Sequence, residues 1–440
     1  MSQHRLCVFD GDTRVGAIAY DSLEEAFSFE YDARWLRADE AYPLSPHLPL
    51  AGALAASSTV RRFLENLLPE GRALDVVSIT HQVSKSNIFG LIRELGRETS
   101  GALSFLPEGT LPRSQAASPR EITREELKHR IDERAHMPFS VWDGRVRMSI
   151  AGYQDKLPVY MAEDHMYLVE EPLASTHILK PEPAEARLPM LVANEHYCMR
   201  LAHRLGLSVA RVAILRLPDP VLAVERFDRA PAPGRVRRIH IIDACQALDL
   251  PVAYKYERNF GSGVDVRNIR DGVSFARLFS AVRYTTRKAL ARQALARWAI
   301  FQYLIGNTDA HGKNVSFFSR PDGLAVAPFY DLVSVAQYQR IDHELAMAYG
   351  DEFKLEDVSP FAWADFAKRT GLDRSFLARE MVRMSRAVQA AAPAQANEPD
   401  YEGTEREFVL RIAGFVQSQA QRILEMVKPM RAIGPALLSD

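Results

Sequence analysis

The residues best suited to chemistry in this 440-residue chain lie in Asn307-Thr-Asp-Ala-His-Gly-Lys-Asn314 and, a short distance on, in Pro328-Phe-Tyr-Asp331. Asp309 precedes the amide of Asn314 by five residues, and a second acid, Asp331, follows that amide by seventeen. Phosphoryl transfer from ATP asks for such a trio. One carboxylate receives the proton of the acceptor hydroxyl, while an amide oxygen and a second carboxylate hold magnesium on the phosphates. The catalytic loop of protein kinases carries Asp and Asn at the same five-residue offset. Magnesium prefers hard oxygen donors and takes one or two from protein, which is the number Asn314 and Asp331 supply. Alone, Asp309 reads first as a turn cap after a helix; the other two residues shift the balance and make it a candidate base. His311 and Lys313 either steady the loop or touch phosphate, and Phe329 and Tyr330 are expected to pack beneath it.

Further candidates stand upstream. Of 55 basic residues only ten are lysines, so 45 are arginines. Lysine is the compact point charge suited to phosphate, and Lys156, Lys180 and Lys313 all fall in segments with phosphate-binding character. Ala151-Gly152-Tyr153-Gln154-Asp155-Lys156 lies between strands and reads either as a turn that lays backbone N–H groups over phosphates or as an ordinary hairpin loop. Lys180 ends a strand, in position to pair with phosphate oxygens or to be solvated, and Glu195 on the following helix is a candidate partner. Val224-Glu225-Arg226-Phe227-Asp228 closes an apolar strand. Were that strand to join two lobes, its backbone could meet an adenine edge with Phe227 packed nearby.

Composition bounds these readings. Apolar residues make up 47% and charged residues 25%, ordinary for a globular protein with two or three domains. A net charge of −1 argues against bulk attraction to nucleic acid. Cys7, Cys198 and Cys245 are odd in number and far apart, without metal-ligand spacing, and are expected to be buried thiols in a reducing compartment. No signal-peptide pattern opens the chain and no apolar run is long enough to span a bilayer, so a cytoplasmic protein is expected.

The elements that must position these residues are legible from periodicity. Residues 6–20 alternate around an Asp-Gly-Asp turn, a hairpin signal, and residues 27–31 suggest a third strand. Residues 58–95 are mostly helical, and 103–106 read as a closing strand before a Pro/Ser-rich linker at 107–119. Strands are expected at 157–161, 166–169, 176–180, 210–217 and 221–227, with an amphipathic helix over 194–205 capped by Gly206. After a charged loop at 229–238 helical periodicity dominates, as at 275–282 and 290–305, and the candidate catalytic segment follows the latter helix. The last eighty residues read as helical with a disordered break at 390–401. The division predicted is 1–106 as an N-terminal module, 107–137 as linker and connecting helix, 138–228 as a β-rich nucleotide-binding part, and 229–440 as an all-helical lobe. The fold class is α+β, with a two-lobed, protein-kinase-like arrangement.

Six motifs, in order, resemble those of the HipA family: Arg147-Met-Ser-Ile-Ala-Gly-Tyr-Gln-Asp-Lys156, Thr176-His-Ile-Leu-Lys180, Asn194-Glu195, Ala223-Val-Glu-Arg-Phe-Asp228, the 305–314 segment and Pro328-Phe-Tyr-Asp331. Phe63-Leu-Glu-Asn-Leu-Leu-Pro-Glu-Gly71 and Gly96-Arg-Glu-Thr-Ser-Gly-Ala102 resemble motifs of that family's N-terminal region. The resemblance implies a bacterial serine/threonine kinase, the toxin of a type II toxin–antitoxin pair, using ATP and Mg2+. It implies Asp309 as proton acceptor, Asn314 and Asp331 as metal ligands, and Ala151 to Lys156, Lys180, Glu225, Arg226, Phe227, His311, Gly312, Lys313, Asn314 and Asp331 in the nucleotide site. Ser149 matches the serine that members autophosphorylate to shut themselves down. The implied substrate is an aminoacyl-tRNA synthetase, notably glutamyl-tRNA synthetase, whose phosphorylation blocks translation and yields growth arrest or persistence. The implied partner is a HipB-like helix-turn-helix antitoxin, through which operator DNA is mainly reached. Two other readings stay open on the residues: a catalytically silent co-repressor that binds the antitoxin, and a small-molecule phosphotransferase.

Overall fold

A computed structural model describes residues 3–112, 119–147, 154–170, 173–185, 187–217, 219–232 and 235–438. Ser149 and the Ala151, Gly152 and Tyr153 part of the candidate phosphate loop lie outside the described residues. The chain is α+β and divides into two compact units, residues 1–181 with 215–252 and 317–325, and residues 182–214 with 253–316 and 326–440. Among the described residues, no helix is long and apolar enough to cross a membrane. All three cysteines are free and buried.

In the first unit the strands Gln3–Asp10 and Thr13–Asp21 form the expected hairpin, with Gly11 at φ +54 in its turn. Ala26–Tyr31 flanks this hairpin on one side and Leu103–Pro107 on the other, giving an antiparallel four-stranded sheet. Helices Ser57–Glu65, Gly71–His81 and Ile88–Leu95 fill the interval. Asn87 caps the last of these by accepting the Gly90 N–H at 2.9 Å.

A six-stranded sheet follows in the order Val212–Leu217, Asp219–Glu225, His177–Pro181, Leu157–Ala162, His165–Leu168, Arg120–Ile122. Its inner face alternates as a half-buried strand should: Leu157, Val159, Leu179, Val221 and Ala223 pack with Trp142 and Phe139.

The structure corrects three expectations from the sequence. Residues 229–238 form a hairpin, Arg229–Ala232 against Arg235–Arg238, where a charged loop was expected. Its end arginines are not solvated: Arg229 and Arg238 donate to the carbonyl of Gly101, and Arg238 donates also to those of Arg97, Thr99 and Leu103. Strands also interrupt the lobe expected to be all helical. Ser316–Arg320 and Gly323–Val326 pair around a Pro-Asp-Gly turn, with Gly323 at φ +126, and Ile241–Asp243 joins them.

The third correction concerns 390–401, expected to be disordered. The helix Arg374–Ala396 runs through Pro393, and Tyr401 is 1% exposed. Alanine-rich sequence favours helix, and proline's cost is the lost bond to the carbonyl four residues back. Here the carbonyl of Gln389 accepts from Gln417 Nε2 on the helix Gly403–Ala432 at 2.9 Å, while Gln389 Nε2 returns a bond to the Gln417 carbonyl at 3.2 Å.

In the second unit the helix Leu191–Arg204 ends at Leu205, and Gly206 sits one residue beyond at φ +81. The 5→2 and 6→1 bonds from Gly206 and Leu207 close it as a Schellman motif. The helix Lys288–Ile305 is buried along most of its last three turns, which makes it a rigid base for the segment that follows.

Candidate active site

The candidate catalytic segment begins where the helix Lys288–Ile305 stops. Gly306 adopts φ +63, and a Cβ there would lie 2.8 Å from Ala336 and from the Phe415 ring. Glycine is needed both for the turn and for the space. Asn307 is 3% exposed and folds the chain over itself, donating from Nδ2 to Gln302 Oε1 at 2.9 Å and accepting the Asp309 N–H at 3.1 Å. The carbonyl of Thr308 accepts from Ala346 N–H at 2.8 Å, and Gly312 N–H donates to the carbonyl of Lys255 at 2.9 Å. These bonds leave Asp309 on an exposed corner of a buried segment. Its Oδ1 accepts a hydrogen bond from the Tyr256 hydroxyl at 2.7 Å.

Asn314 and Asp331 are brought together. Asn314 is 4% exposed, and its Nδ2 donates to Asp331 Oδ2 at 3.3 Å. Asp331 takes φ +59, a left-handed conformation that aspartate tolerates better than most residues. The turn before it is tied down. Phe329 N–H donates to the Ser208 carbonyl and Ala210 N–H to the Phe329 carbonyl, at 2.8 and 2.9 Å, while the Phe329 ring stacks on Trp298. The Tyr330 hydroxyl donates to the Lys313 carbonyl at 2.6 Å and contacts Ser316 Oγ at 2.8 Å. Phe329 and Tyr330 therefore brace the loop, as expected. Asn314 and Asp331 set an amide and a carboxylate side by side, with the amide nitrogen toward Asp331 Oδ2, and between them the two side chains carry the hard oxygen donors that fit Mg2+.

His311 is a packing residue. Its ring meets Tyr256 edge-on at 5.1 Å, and its Nδ1 is buried without a partner. Burial, reinforced by the Lys255 and Lys313 ammonium groups, pushes it down to about 3 despite the opposing charge of Asp331. It is neutral at ordinary pH. Gly312 could hold no side chain without displacement, since a Cβ would lie 2.6 Å from Val273. Lys313 is 6% exposed.

In the first unit Lys180 is 8% exposed on a central strand, paired across from Leu222, and Lys156 is 6% exposed immediately before the strand Leu157–Ala162. Gln154 Nε2 donates to the Pro181 carbonyl at 3.3 Å, which brings the described end of the candidate phosphate loop to the strand carrying Lys180. Asp155 is half-buried. Glu225 is exposed opposite His177, and the Phe227 ring meets Phe318 edge-on.

Arg226 is occupied elsewhere. Its N–H donates to the Thr176 carbonyl at 2.9 Å, and its guanidinium lies in a buried network with Asp228 at 2.8 and 3.0 Å and Ser175 Oγ at 2.9 Å. Glu98 completes that network, 3.6 Å from Arg226 and 2.6 Å from the Ser175 hydroxyl. Sequence reasoning missed Glu98, Tyr256 and Lys255 as neighbours of candidate residues. Lys255 carried a signal as one of the ten lysines in an arginine-rich chain, and Glu98 lay inside the Gly96–Ala102 motif; Tyr256 carried none.

An exposed carboxylate on the same loop as an adjacent amide and carboxylate is the kind of side-chain set that phosphoryl transfer uses, and kinase is the class to which fold and comparisons point. Residues 148–394 match the HipA-like C-terminal domain and residues 6–106 the HipA N-terminal domain. The serine/threonine-protein kinase toxin HipA of Shewanella oneidensis is 41% identical over 428 residues, 96% of each chain. A putative kinase of Sinorhizobium fredii, Y4mE, is 34% identical over 84% of this chain and 86% of its own length. A solved complex of Shewanella oneidensis HipA with HipB and its operator DNA superposes with a TM-score of 0.88 at 40% identity, covering 98% of this chain and all of that one. The chain belongs to the HipA family and is a serine/threonine-protein kinase of that family.

Proposed function

We propose that this kinase transfers the γ-phosphate of ATP to a serine or threonine of a protein, as the toxin of a toxin–antitoxin pair. The observation that carries the proposal is the second unit's loop, with Asp309 exposed and hydrogen-bonded by Tyr256 and the Asn314 and Asp331 side chains brought together. Asp309 takes the proton of the acceptor hydroxyl through its carboxylate as that oxygen attacks the γ-phosphorus. The bond from phosphorus to the β,γ-bridging oxygen breaks, and ADP leaves. Magnesium, held by Asn314 and Asp331, supplies charge neutralisation on the phosphates when bound. Ala151 to Lys156, Lys180, Lys313 and Asn314 serve phosphate, with His311 and Gly312 packed beside Lys313. The backbone of Glu225, Arg226 and Phe227 serves the adenine, Arg226 through its carbonyl because its N–H is held by Thr176. Ser149 is the autophosphorylation site, where a dianion would compete for groups meant for ATP.

The partner proposed is a HipB-like helix-turn-helix antitoxin, with operator DNA reached mainly through it. The support is a relative of nearly equal length whose solved complex contains HipB and operator DNA. The substrate proposed is an aminoacyl-tRNA synthetase such as glutamyl-tRNA synthetase, giving translation arrest and persistence in the cytoplasm.

Labelled ATP and Mg2+ added to the protein and a cell extract test the whole reading. Label on an extract protein, absent with Asp309→Asn, is the expected result. Label only on a metabolite would mean a small-molecule phosphotransferase, and no label at all would mean a silent co-repressor.

A further inference from the structure

Tyr256 lies fifty-three residues from Asp309 in sequence, and no motif contains it. Its hydroxyl nevertheless donates to Asp309 Oδ1 at 2.7 Å. The segment that carries it is pinned on both sides of Tyr256, at Tyr254, Lys255 and Glu257. Val273 N–H donates to the Tyr254 carbonyl at 2.8 Å, Gly312 N–H to that of Lys255 at 2.9 Å, and Gly272 N–H to that of Glu257 at 3.2 Å. Glu257 is 2% exposed; its N–H donates to the Ala346 carbonyl, and its carboxylate accepts the Ala348 N–H at 2.8 Å and Arg270 Nε at 2.7 Å. Gly272 comes so close that a Cβ would stand 1.7 Å from the Tyr256 carbonyl oxygen. The Tyr256 ring packs edge-on against His311.

We infer that Tyr256 is the positioning residue of the phosphotransfer base: its hydroxyl fixes the Asp309 carboxylate so that an oxygen faces the acceptor hydroxyl. This rests on the reading of Asp309 as that base. A carboxylate on an exposed corner has two-fold torsional freedom about its terminal bond, and a base is effective only within hydrogen-bond reach of the proton it takes. The phenol is held by a rigid segment and directs one oxygen. Such a bond to a charged group is strong enough that its loss costs roughly tenfold in rate when it acts in the transition state.

The test uses the full-length protein with ATP, Mg2+ and a protein acceptor. Tyr256→Phe keeps the ring against His311 and removes only the hydroxyl, whereas Tyr256→Leu removes both. Both variants are expected to lose kcat about equally, on the order of tenfold, with KM for ATP unchanged. Wild-type kcat in Tyr256→Phe with a loss in Tyr256→Leu would show that only the ring matters and would overturn the inference. A raised KM for ATP with kcat intact would overturn it too. Asp309→Asn is assayed in parallel. If it stays active, the base assignment fails; if it is dead while Tyr256→Phe is normal, only the role of Tyr256 fails.

Discussion

Arg226→Met is the most informative perturbation of the fold around the candidate site. Arg226, Asp228 and Arg229 have side chains only 2%, 6% and 2% exposed, and Glu98 contributes from the N-terminal module. Methionine keeps the length of the arginine stem, so little packing is lost, but Asp228 loses its bonds at 2.8 and 3.0 Å and Ser175 Oγ loses one at 2.9 Å. Breaking one side of a buried ion pair costs about 3–5 kcal/mol. Asp228 still accepts from Arg229 at 2.7 Å and from Gly101 N–H at 2.9 Å, which places the cost near the lower end, about 3 kcal/mol. At roughly 2–4 °C per kcal/mol for a unit of 150–250 residues, the melting temperature should fall by about 6–12 °C. The assay is calorimetry of the variant beside wild type, with Lys128→Ala as a control that removes a surface pair to Asp132 and should leave melting nearly unchanged. The reasoning would be refuted by an Arg226→Met protein that melts within a degree or two of wild type. Charge is what makes the site brittle: burial raises and the two arginines lower the Asp228 carboxyl, with the net result that it is held well below its usual range, while burial and Arg226 pull Arg229 down to about 9.

Three further outcomes are expected. Gly272→Ala puts a methyl into the Tyr256 backbone and should cost at least the ~1–3 kcal/mol of ordinary overpacking, lowering both melting temperature and kcat; a variant normal in both would show that the contact relaxes freely. Asp331→Asn keeps the tolerance for φ +59 but removes the anionic oxygen, so the Mg2+ concentration for half-maximal activity should rise at least about tenfold, with folding unchanged; an unaltered Mg2+ titration would remove Asp331 from the metal site. Buried His240, its Nε2 2.9 Å from the Leu44 carbonyl, is pushed down to about 4 by burial, against about 6.5 in the unfolded chain. The unfolded state then binds the extra proton between those values, so His240 draws stability away as pH falls from 6.5 to 4, by up to about 3 kcal/mol. Denaturant melts of His240→Gln should show a shallower acid loss than wild type, and parallel pH curves would exclude His240 as the source.

What the sequence determined by itself was local. Period-two and helical patterns placed most strands and helices, and Asp309, Asn314 and Asp331 stood out because turn residues and magnesium donors lie close together along one stretch of chain. Local patterning failed where long-range contacts decide. The charged 229–238 segment becomes a hairpin only because carbonyls around Thr99 and Gly101 accept its guanidinium groups. The helix continues through Pro393 because Gln417, on another helix, bonds the carbonyl that the proline leaves open. The hairpin at 316–326 turns at Pro-Asp-Gly, a local signal lying within a stretch where helical periodicity dominates. The tertiary structure alone decided which side chains attend the candidate residues. Tyr256 reaches Asp309 from fifty-three residues away, and Glu98 reaches Arg226 from another module. A hydrogen bond depends on distance in space, and no pattern along the chain records it.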